Sequence, residues 1–259
     1  MPPPRRLALV ISWTGAAIFA ASLAWFVYCY LFRFGQPAPA GPIARPLLTN
    51  VLLFSAFALH HSVLARSGAK RLMHQIAPPE LERSIYTWVA SVLFLAVCAQ
   101  WQPVPGVIYE LTGPWQFLGW TVQVAGLALT IRASAALDVL DLAGVRAVAR
   151  PAGVRAVARP AGVRAVTRPA NGRRPEPSTP PLTTSGLYAF VRHPLYFAWT
   201  LFVFGAPAMT GTRAAFAIVS TVYLMIAIPW EERGLVATFG PQYEDYRRRV
   251  TTRMIPWVY

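Results

Sequence analysis

The sequence has 259 residues, of which 55% are hydrophobic and 13% are charged, and this composition excludes an ordinary soluble domain. The formal net charge is +14, yet no soluble basic module is visible. We therefore attribute the charge to orientation in a membrane and to contact with anionic membrane lipids, and exclude nucleic-acid binding. The two cysteines, Cys29 and Cys98, lie in separate apolar segments; they indicate no disulfide framework, and no metal site is predicted.

Six charge-free segments follow in chain order, each close to the ~20 residues that cross a bilayer as a helix. They comprise residues 7–32, 46–65, 84–109, 111–131, 194–212 and 214–230. This pattern predicts an all-α, polytopic integral-membrane helical bundle of about six transmembrane helices, the first four within residues 1–137. The last two segments are short and separated by Arg213 alone, so a tilted or partly re-entrant hairpin is the alternative. Residues 186–259 would hold these two helices and an amphipathic, interfacial C-terminal helix.

Lysine and arginine residues are unevenly distributed between the two sides of this predicted bundle. If both termini are cytoplasmic, only three of the 24 lysines and arginines fall outside, namely Arg33, Arg45 and Arg213. The cytoplasmic side retains such residues, so we predict a multi-pass protein of the cell inner (cytoplasmic) membrane with both termini cytoplasmic. The first segment is too long for the apolar core of a signal peptide and is interpreted as a retained anchor.

Residues 138–185 separate the fourth and fifth segments and contain a tandem repeat. The unit AGVRAVARP fills residues 143–151 and 152–160, and AGVRAVTRP follows at 161–169. A proline every nine residues permits at most two helical turns per unit, so we expect a disordered cytoplasmic loop without catalytic residues. The alternative is that its six arginines rest on anionic lipid as short amphipathic turns.

The stretch GLYAFVRHPLYFAW starts at Gly186 and places Arg192 and His193 directly before Pro194. Proline favours the first turn of a helix, so a helix is predicted to start there. The free N–H groups of that turn and the Arg192 guanidinium would form a positive pocket for a carboxylate or a phosphate.

Glu231 and Glu232 directly follow the sixth apolar segment, at the predicted C-terminal end of its helix. Two carboxylates there repel each other and the negative end of the helix dipole, which requires a cationic partner. A hairpin of the last two helices would bring them beside Arg192 and His193. Two interpretations remain open, namely a structural ion pair, or a site for a ligand that carries both a carboxylate and an amino group.

S-adenosylmethionine is a ligand of this kind, and Tyr188 and Tyr196 offer aromatic faces for its sulfonium. The patterns Y-x-x-x-R-H-P-x-Y, E-E-x-x-L and F-G-x-x-Y-x-x-Y-x-x-R-V start at Tyr188, Glu231 and Phe239. They resemble the signature of the isoprenylcysteine carboxyl methyltransferase superfamily. The resemblance implies an integral-membrane enzyme that binds S-adenosylmethionine on the cytoplasmic side. The predicted cofactor-binding residues, including two added by the charge argument, are Tyr188, Arg192, His193, Pro194, Leu195, Tyr196, Glu231 and Glu232.

The segment that joins the second and third helices carries a further motif. His61 and Ser62 precede a basic loop, and E-R-S-x-Y runs from Glu82 to Tyr86. This motif resembles bacterial methanethiol S-methyltransferases and a related membrane family associated with denitrification genes. His60 and His61 are about 100° apart on a helix, so only one can face the bundle interior. A histidine there is a functional candidate, and a hydrogen bond across helices is the alternative.

Together these patterns predict a methyltransferase that transfers the methyl group of S-adenosylmethionine to a small, lipid-soluble thiol such as methanethiol, giving dimethyl sulfide. The candidate catalytic residues are His61, Arg192 and Glu231, with His61 taking the thiol proton because a thiol attacks as its thiolate. A phospholipid amine is an alternative acceptor. A prenylcysteine carboxylate is another, although Ala227 stands where the prenylcysteine enzymes carry a substrate-binding arginine. A non-catalytic, denitrification-associated membrane protein is the alternative from a different class. The sequence does not determine an oligomeric state.

Overall fold

A computed structural model describes residues 5–64, 81–136 and 182–259, together with positions 75, 78, 145 and 148. The helices are α1 (Arg5–Tyr28, continued by a π-helical turn Cys29–Arg33), α2 (Ala44–Leu64), α3 (Glu82–Gln100), α4 (Pro114–Ala136), α5 (Pro194–Phe204), α6 (Gly211–Phe239) and α7 (Pro241–Arg249). A 3₁₀ turn spans Gly186–Ala189, and the strands are β1 (Val107–Glu110) and β2 (Ala208–Thr210).

Three helical segments of the described chain are long and apolar enough to cross a membrane, namely Arg5–Arg33, Glu82–Gln100 and Gly211–Phe239. The predicted fifth span is wrong as a full crossing, because α5 has 11 residues and a helix of that length covers only about 16 Å of a ~30 Å hydrocarbon core. Helices α2 and α4 have 21 and 23 residues and are not among these three segments. A total of six spans therefore stays a prediction.

A small sheet replaces part of the helix predicted around residue 107. Strands β1 and β2 pair antiparallel, with Val107 opposite Thr210 and Glu110 opposite Ala208. Helix α3 ends at Gln100, and Pro103, Pro105 and Gly106 follow before β1 begins. The expectation of an all-α chain is thus wrong at this point. Hydropathy does not distinguish an apolar strand from an apolar helix. The closely spaced prolines prevent the helix from continuing.

The described residues divide into two compact units. One comprises those of Met1–Thr112, Val139–Ala156 and Pro207–Ser220, and the other those of Gly113–Asp138, Val157–Ala206 and Thr221–Tyr259. The repeat lies outside the described residues except for Val145 and Val148, so its disorder stays a prediction.

The first unit is held together by aromatic packing and by close helix contacts. The ring of Phe216 lies 5.0–5.9 Å from the ring centroids of Phe26, Tyr30, Phe34, Phe54 and Trp101. Helices α1 and α3 approach closely where Gly15 faces Trp88, since an added methyl group would lie 2.8 Å from that indole. The Ser84 hydroxyl, part of the E-R-S-x-Y motif, is buried in the same contact and hydrogen-bonds the Ser12 hydroxyl at 2.8 Å.

The second unit is built on the packing of α4 against α5. A methyl group added to Gly126 would lie 2.3 Å from the backbone nitrogen of Phe202, so only glycine permits this approach. The Gln123 side chain donates a hydrogen bond to the Phe202 carbonyl at 3.2 Å. This contact fixes α5, whose first turn carries the candidate site residues.

Helix α6 does not end where its apolar segment ends. It continues through Glu231 and Glu232 to Phe239, where Gly240 adopts a positive φ of 55° and Pro241 starts α7. The two glutamates are therefore inside a helix, and the expectation that they meet the dipole at its C-terminus is wrong. Loss of hydrophobicity marks the end of apolar burial, whereas glycine and proline end the backbone hydrogen-bonding pattern. The interfacial position of α7 stays a prediction.

Candidate active site

The start of α5 is positioned by the segment that follows α7. The N–H groups of Arg192 and His193 donate to the carbonyl oxygens of Thr252 and Arg253 at 3.0 and 2.8 Å. Helix α5 then begins at Pro194, which confirms the predicted start, because a proline in the first turn loses no helical hydrogen bond. The residues before and in this first turn are thereby held by backbone contacts.

The Arg192 side chain is buried and its charge is paired inside the protein. Its Nε donates to Glu232 Oε1 at 2.7 Å, and its Nη1 donates to the carbonyl oxygens of Val250 and Thr251 at 2.7 and 2.8 Å. A buried guanidinium needs such partners because desolvating an unpaired charge is costly. The expected positive pocket for an anionic ligand is therefore wrong in its main element, since the Arg192 charge is neutralised by Glu232.

The two adjacent glutamates have different environments. The Glu232 side chain is 5% exposed and lies 3.4 Å from His193 Nε2 and 3.9 Å from Arg253 Nε, in addition to its bond with Arg192. The Glu231 side chain is 20% exposed, accepts a hydrogen bond from the Tyr196 hydroxyl at 2.8 Å and lies 3.6 Å from His193 Nδ1. The interpretation of a structural ion pair holds for Glu232. Glu231 is partly exposed, and a ligand site there stays a prediction.

His193 and Tyr196 form the aromatic part of the site. Their rings are parallel, with an interplanar angle of 6° and centroids 5.4 Å apart. His193 also lies between the two carboxylates, with one ring nitrogen near each of them. The stacked pair therefore holds the Glu231 carboxylate in one orientation.

An open cleft of about 600 Å³, including the space at its mouth, adjoins these residues. Seven of the predicted cofactor-binding residues line it, namely Tyr188, Arg192, His193, Pro194, Leu195, Tyr196 and Glu231. Glu232 is not among the lining residues, because its side chain points into the ion pair. Sequence reasoning missed the other lining residues, which are Ala133, Leu182, Thr183, Leu235, Tyr243 and Tyr246. Three of these had a signal, since Leu235 ends the E-E-x-x-L pattern and the two tyrosines belong to the F-G-x-x-Y-x-x-Y pattern.

Helix α7 presents those two tyrosines to the cleft. The Tyr246 hydroxyl donates to the Tyr188 carbonyl oxygen at 2.7 Å and fixes the 3₁₀ turn. Burial raises the pKa of Tyr188, Tyr243 and Tyr246 above the ordinary tyrosine value, and nearby carboxylates raise the pKa of Tyr188 and Tyr243 further. These hydroxyls therefore stay protonated near neutral pH and act as hydrogen-bond donors.

The candidate base His61 lies in α2, and its side chain is outside the described residues. The neighbouring His60 stacks on Tyr86, the last residue of the E-R-S-x-Y motif, with ring centroids 5.7 Å apart. Its Nε2 is buried without a hydrogen-bond partner in the described part of the chain. The role of His61 stays a prediction.

Comparison with known proteins identifies the family. A family model described as phospholipid methyltransferase matches residues 175–242. A methanethiol S-methyltransferase from Mycobacterium tuberculosis is 32% identical over 256 residues, covering 94% of each chain. The chain belongs to the methanethiol S-methyltransferase family. A second member of this family, methanethiol S-methyltransferase 1 of Bradyrhizobium diazoefficiens, is 34% identical over 83% of this chain and 68% of its own.

Other comparisons are more limited in extent. A protein-S-isoprenylcysteine O-methyltransferase from Schizosaccharomyces pombe is 36% identical, but over only 27% of this chain and 30% of its own. No solved structure matches. Membership of the methanethiol S-methyltransferase family, with three apolar helices of membrane-spanning length, makes this chain a membrane methyltransferase and removes the non-catalytic alternative.

Proposed function

We propose that this protein uses S-adenosylmethionine to methylate the sulfur of a small thiol such as methanethiol, producing dimethyl sulfide, at the inner membrane with both termini in the cytoplasm. The observation that carries the proposal is the charge of the cleft. Because Arg192 is neutralised by Glu232, the partly exposed Glu231 carboxylate dominates the accessible charge, and aromatic side chains flank it. Such a site favours a cationic ligand.

The residues of the cleft fit this cofactor. Glu231 is suited to its ammonium group, and the rings of Tyr188 and Tyr196 are suited to its sulfonium. Leu195 and Leu235 offer an apolar wall for the adenine. We assign Arg192 and Glu232 a positioning role, because their ion pair holds the first turn of α5 from inside the protein.

The bound cofactor would supply a methyl group already activated for displacement by its positive sulfur. The protein then needs to align the reactants and exclude water. Tyr196 and His193 hold Glu231 in place, while Arg192 locks residues 250–251 against the start of α5. The thiol must also lose its proton, and we assign His61 as the base that accepts it.

A phospholipid amine is the second candidate acceptor, since the phospholipid methyltransferase model matches the region that contains the cleft residues from α5 and α6. A prenylcysteine carboxylate has less support, because Ala227 offers no charge to bind it.

The decisive experiment gives methyl-labelled S-adenosylmethionine and methanethiol to membranes that contain the full chain, and counts label in headspace, lipid and protein. We expect volatile label as dimethyl sulfide, abolished by Glu231→Ala. Label in lipid without volatile label would favour the phospholipid acceptor, and label in protein would favour prenylcysteine. No transfer in any fraction would contradict the proposal.

The role of His61 is tested by comparing His61→Ala with the matched neighbour His60→Ala. We expect His61→Ala to reduce turnover about 100-fold or more, the lower range for a general base, while cofactor affinity measured by calorimetry stays within about twofold. Turnover at the parent level would remove His61 from the mechanism. A selective loss in His60→Ala would transfer the role to that residue.

A further inference from the structure

Helix α7 carries two buried tyrosines whose hydroxyls differ in their hydrogen bonding. Tyr243 and Tyr246 are 1% and 2% exposed, both line the cleft, and their ring centroids are 5.8 Å apart. Residues three apart share a helix face, so the two rings enter the same wall. The Tyr246 hydroxyl donates to the Tyr188 carbonyl oxygen, whereas the Tyr243 hydroxyl is buried without a hydrogen-bond partner among the described residues.

An unsatisfied hydroxyl at this position needs an explanation. Buried polar groups are nearly always hydrogen-bonded, because a lone one loses its contacts with water and gains none in return. Phenylalanine would supply the same ring without that penalty. Tyr243 is one of the residues that line the cleft that we assign to a cofactor, so a bound molecule can supply the missing partner.

The charges around Tyr243 indicate the type of group that it binds. The Arg192 guanidinium and the Glu231 and Glu232 carboxylates act on it electrostatically, and burial with the negative charge of Glu232 raises its pKa. The hydroxyl therefore keeps its proton and is a donor. A donor is satisfied by an acceptor oxygen, and S-adenosylmethionine carries such oxygens in its amino-acid carboxylate and its ribose.

We propose that Tyr243 is a further cofactor-binding residue, whose hydroxyl donates a hydrogen bond to an oxygen of bound S-adenosylmethionine. This inference rests on the proposed function and adds a contact that lies one residue beyond the region matched by the family model. The hydroxyl of Tyr246, three residues later, instead has a structural role, because it donates to the Tyr188 carbonyl oxygen.

The test compares Tyr243→Phe with Tyr246→Phe in the detergent-purified full chain. Thermal unfolding without ligand reports whether each hydroxyl is bonded inside the protein. Calorimetry with S-adenosylhomocysteine, which keeps both the carboxylate and the ribose, reports the ligand contact. Calorimetry with 5′-methylthioadenosine, which keeps only the ribose, distinguishes the two oxygen sources.

We expect Tyr243→Phe to unfold at the parent temperature or above it, and to bind S-adenosylhomocysteine about 3- to 12-fold more weakly, the loss expected for one hydrogen bond. Tyr246→Phe should unfold at a lower temperature, because the Tyr188 carbonyl loses its donor. Equal weakening of both ligands by Tyr243→Phe assigns the ribose, and weakening of S-adenosylhomocysteine alone assigns the carboxylate.

Two results would contradict this inference without contradicting the proposed function. One is a Tyr243→Phe affinity within twofold of the parent for both ligands. The other is a ligand-free unfolding temperature lowered as much as in Tyr246→Phe, which would place the hydroxyl's partner within the protein. If the parent bound neither S-adenosylmethionine nor S-adenosylhomocysteine, the proposed function would fail together with the inference.

Discussion

The two compact units each contain a buried arginine, and the two are satisfied in different ways. In the first unit, Arg213 lies in the first turn of α6 and donates to the carbonyl oxygens of Tyr30, Leu31 and Ala208 at 3.1, 2.7 and 2.7 Å. In the second unit, Arg192 pairs with the Glu232 carboxylate as well as with backbone carbonyls. Arg213 thus stabilises the backbone through hydrogen bonds to carbonyls only, whereas Arg192 belongs to a group of charged side chains beside a cleft.

A buried charge therefore does not by itself mark a functional site. Both guanidiniums are desolvated and both are hydrogen-bonded. The surroundings of Arg192 differ, because they include the partly exposed Glu231, an open cleft, and a Tyr243 hydroxyl without a partner in the described part of the chain. Polar side chains that are accessible or lack a hydrogen-bond partner indicate a ligand site, whereas fully paired ones indicate a structural role.

The largest expected effect follows from removing Arg213. Arg213→Met would remove three hydrogen bonds to backbone carbonyls, so we expect a loss of about 3–5 kcal/mol in the free energy of unfolding and a fall of roughly 10 °C or more in the unfolding temperature. The measurement is fluorescence-monitored unfolding in detergent. The control is Arg233→Met, whose guanidinium lies 4.5 Å from the exposed Trp230 ring and should contribute under about 1 kcal/mol. An Arg213→Met protein as stable as this control would contradict the role of Arg213 in stabilising the first unit.

The second test separates the adjacent glutamates. Glu232→Gln leaves the buried Arg192 charge unpaired, so we expect a loss of about 2–4 kcal/mol in unfolding free energy. Glu231→Gln should unfold within about 2 °C of the parent but bind S-adenosylmethionine at least about 10-fold more weakly, because it loses a charged hydrogen bond. Calorimetry and thermal unfolding on both variants check this. Equal loss of stability in the two variants would contradict the assignment of a structural role to Glu232 and a ligand-binding role to Glu231.

A smaller effect is expected from the hydroxyl that orients Glu231. Tyr196→Phe removes the 2.8 Å hydrogen bond to that carboxylate, and we expect about 3- to 10-fold weaker cofactor binding with the stacked ring retained. Calorimetry measures this loss. Tyr28→Phe, which changes an exposed tyrosine on α1, is the control and should bind like the parent. Unchanged affinity in Tyr196→Phe would show that Glu231 needs no such orientation.

The smallest effect concerns pH. The raised pKa values of Tyr243 and Tyr246 mean that above pH 10 the unfolded chain loses tyrosine protons that the folded chain retains. Stability from these groups is therefore fully present below pH 10 and is lost as the pH rises beyond it. We expect the double variant Tyr243→Phe/Tyr246→Phe to lose less stability between pH 10 and 11 than the parent does. Identical slopes would refute the assignment of these hydroxyls as buried.

Part of the site could be predicted from local sequence alone. Pro194 identified the start of α5, because the position of proline in a helix depends only on its own backbone. The tyrosine, histidine-proline and glutamate patterns identified six lining residues through resemblance, and the charge argument added Arg192. An ion pair of Arg192 with a glutamate was one of two open interpretations. Its carbonyl partners, Val250 and Thr251, could not be predicted, since they lie 58 and 59 residues away in the chain.

The sequence alone predicted an apolar membrane methyltransferase with an arginine-histidine-proline motif at the start of α5. Those conclusions depend on composition, on backbone preferences near proline and on motif order, which are all local properties. The fold was needed to see that Glu231 faces the cleft while Glu232 is buried. It was also needed to see that the Tyr243 hydroxyl, unlike that of Tyr246, has no hydrogen-bond partner among the described residues. Neighbouring residues on one helix differ in direction by a fixed angle, but which direction faces a partner is decided by packing with distant parts of the chain.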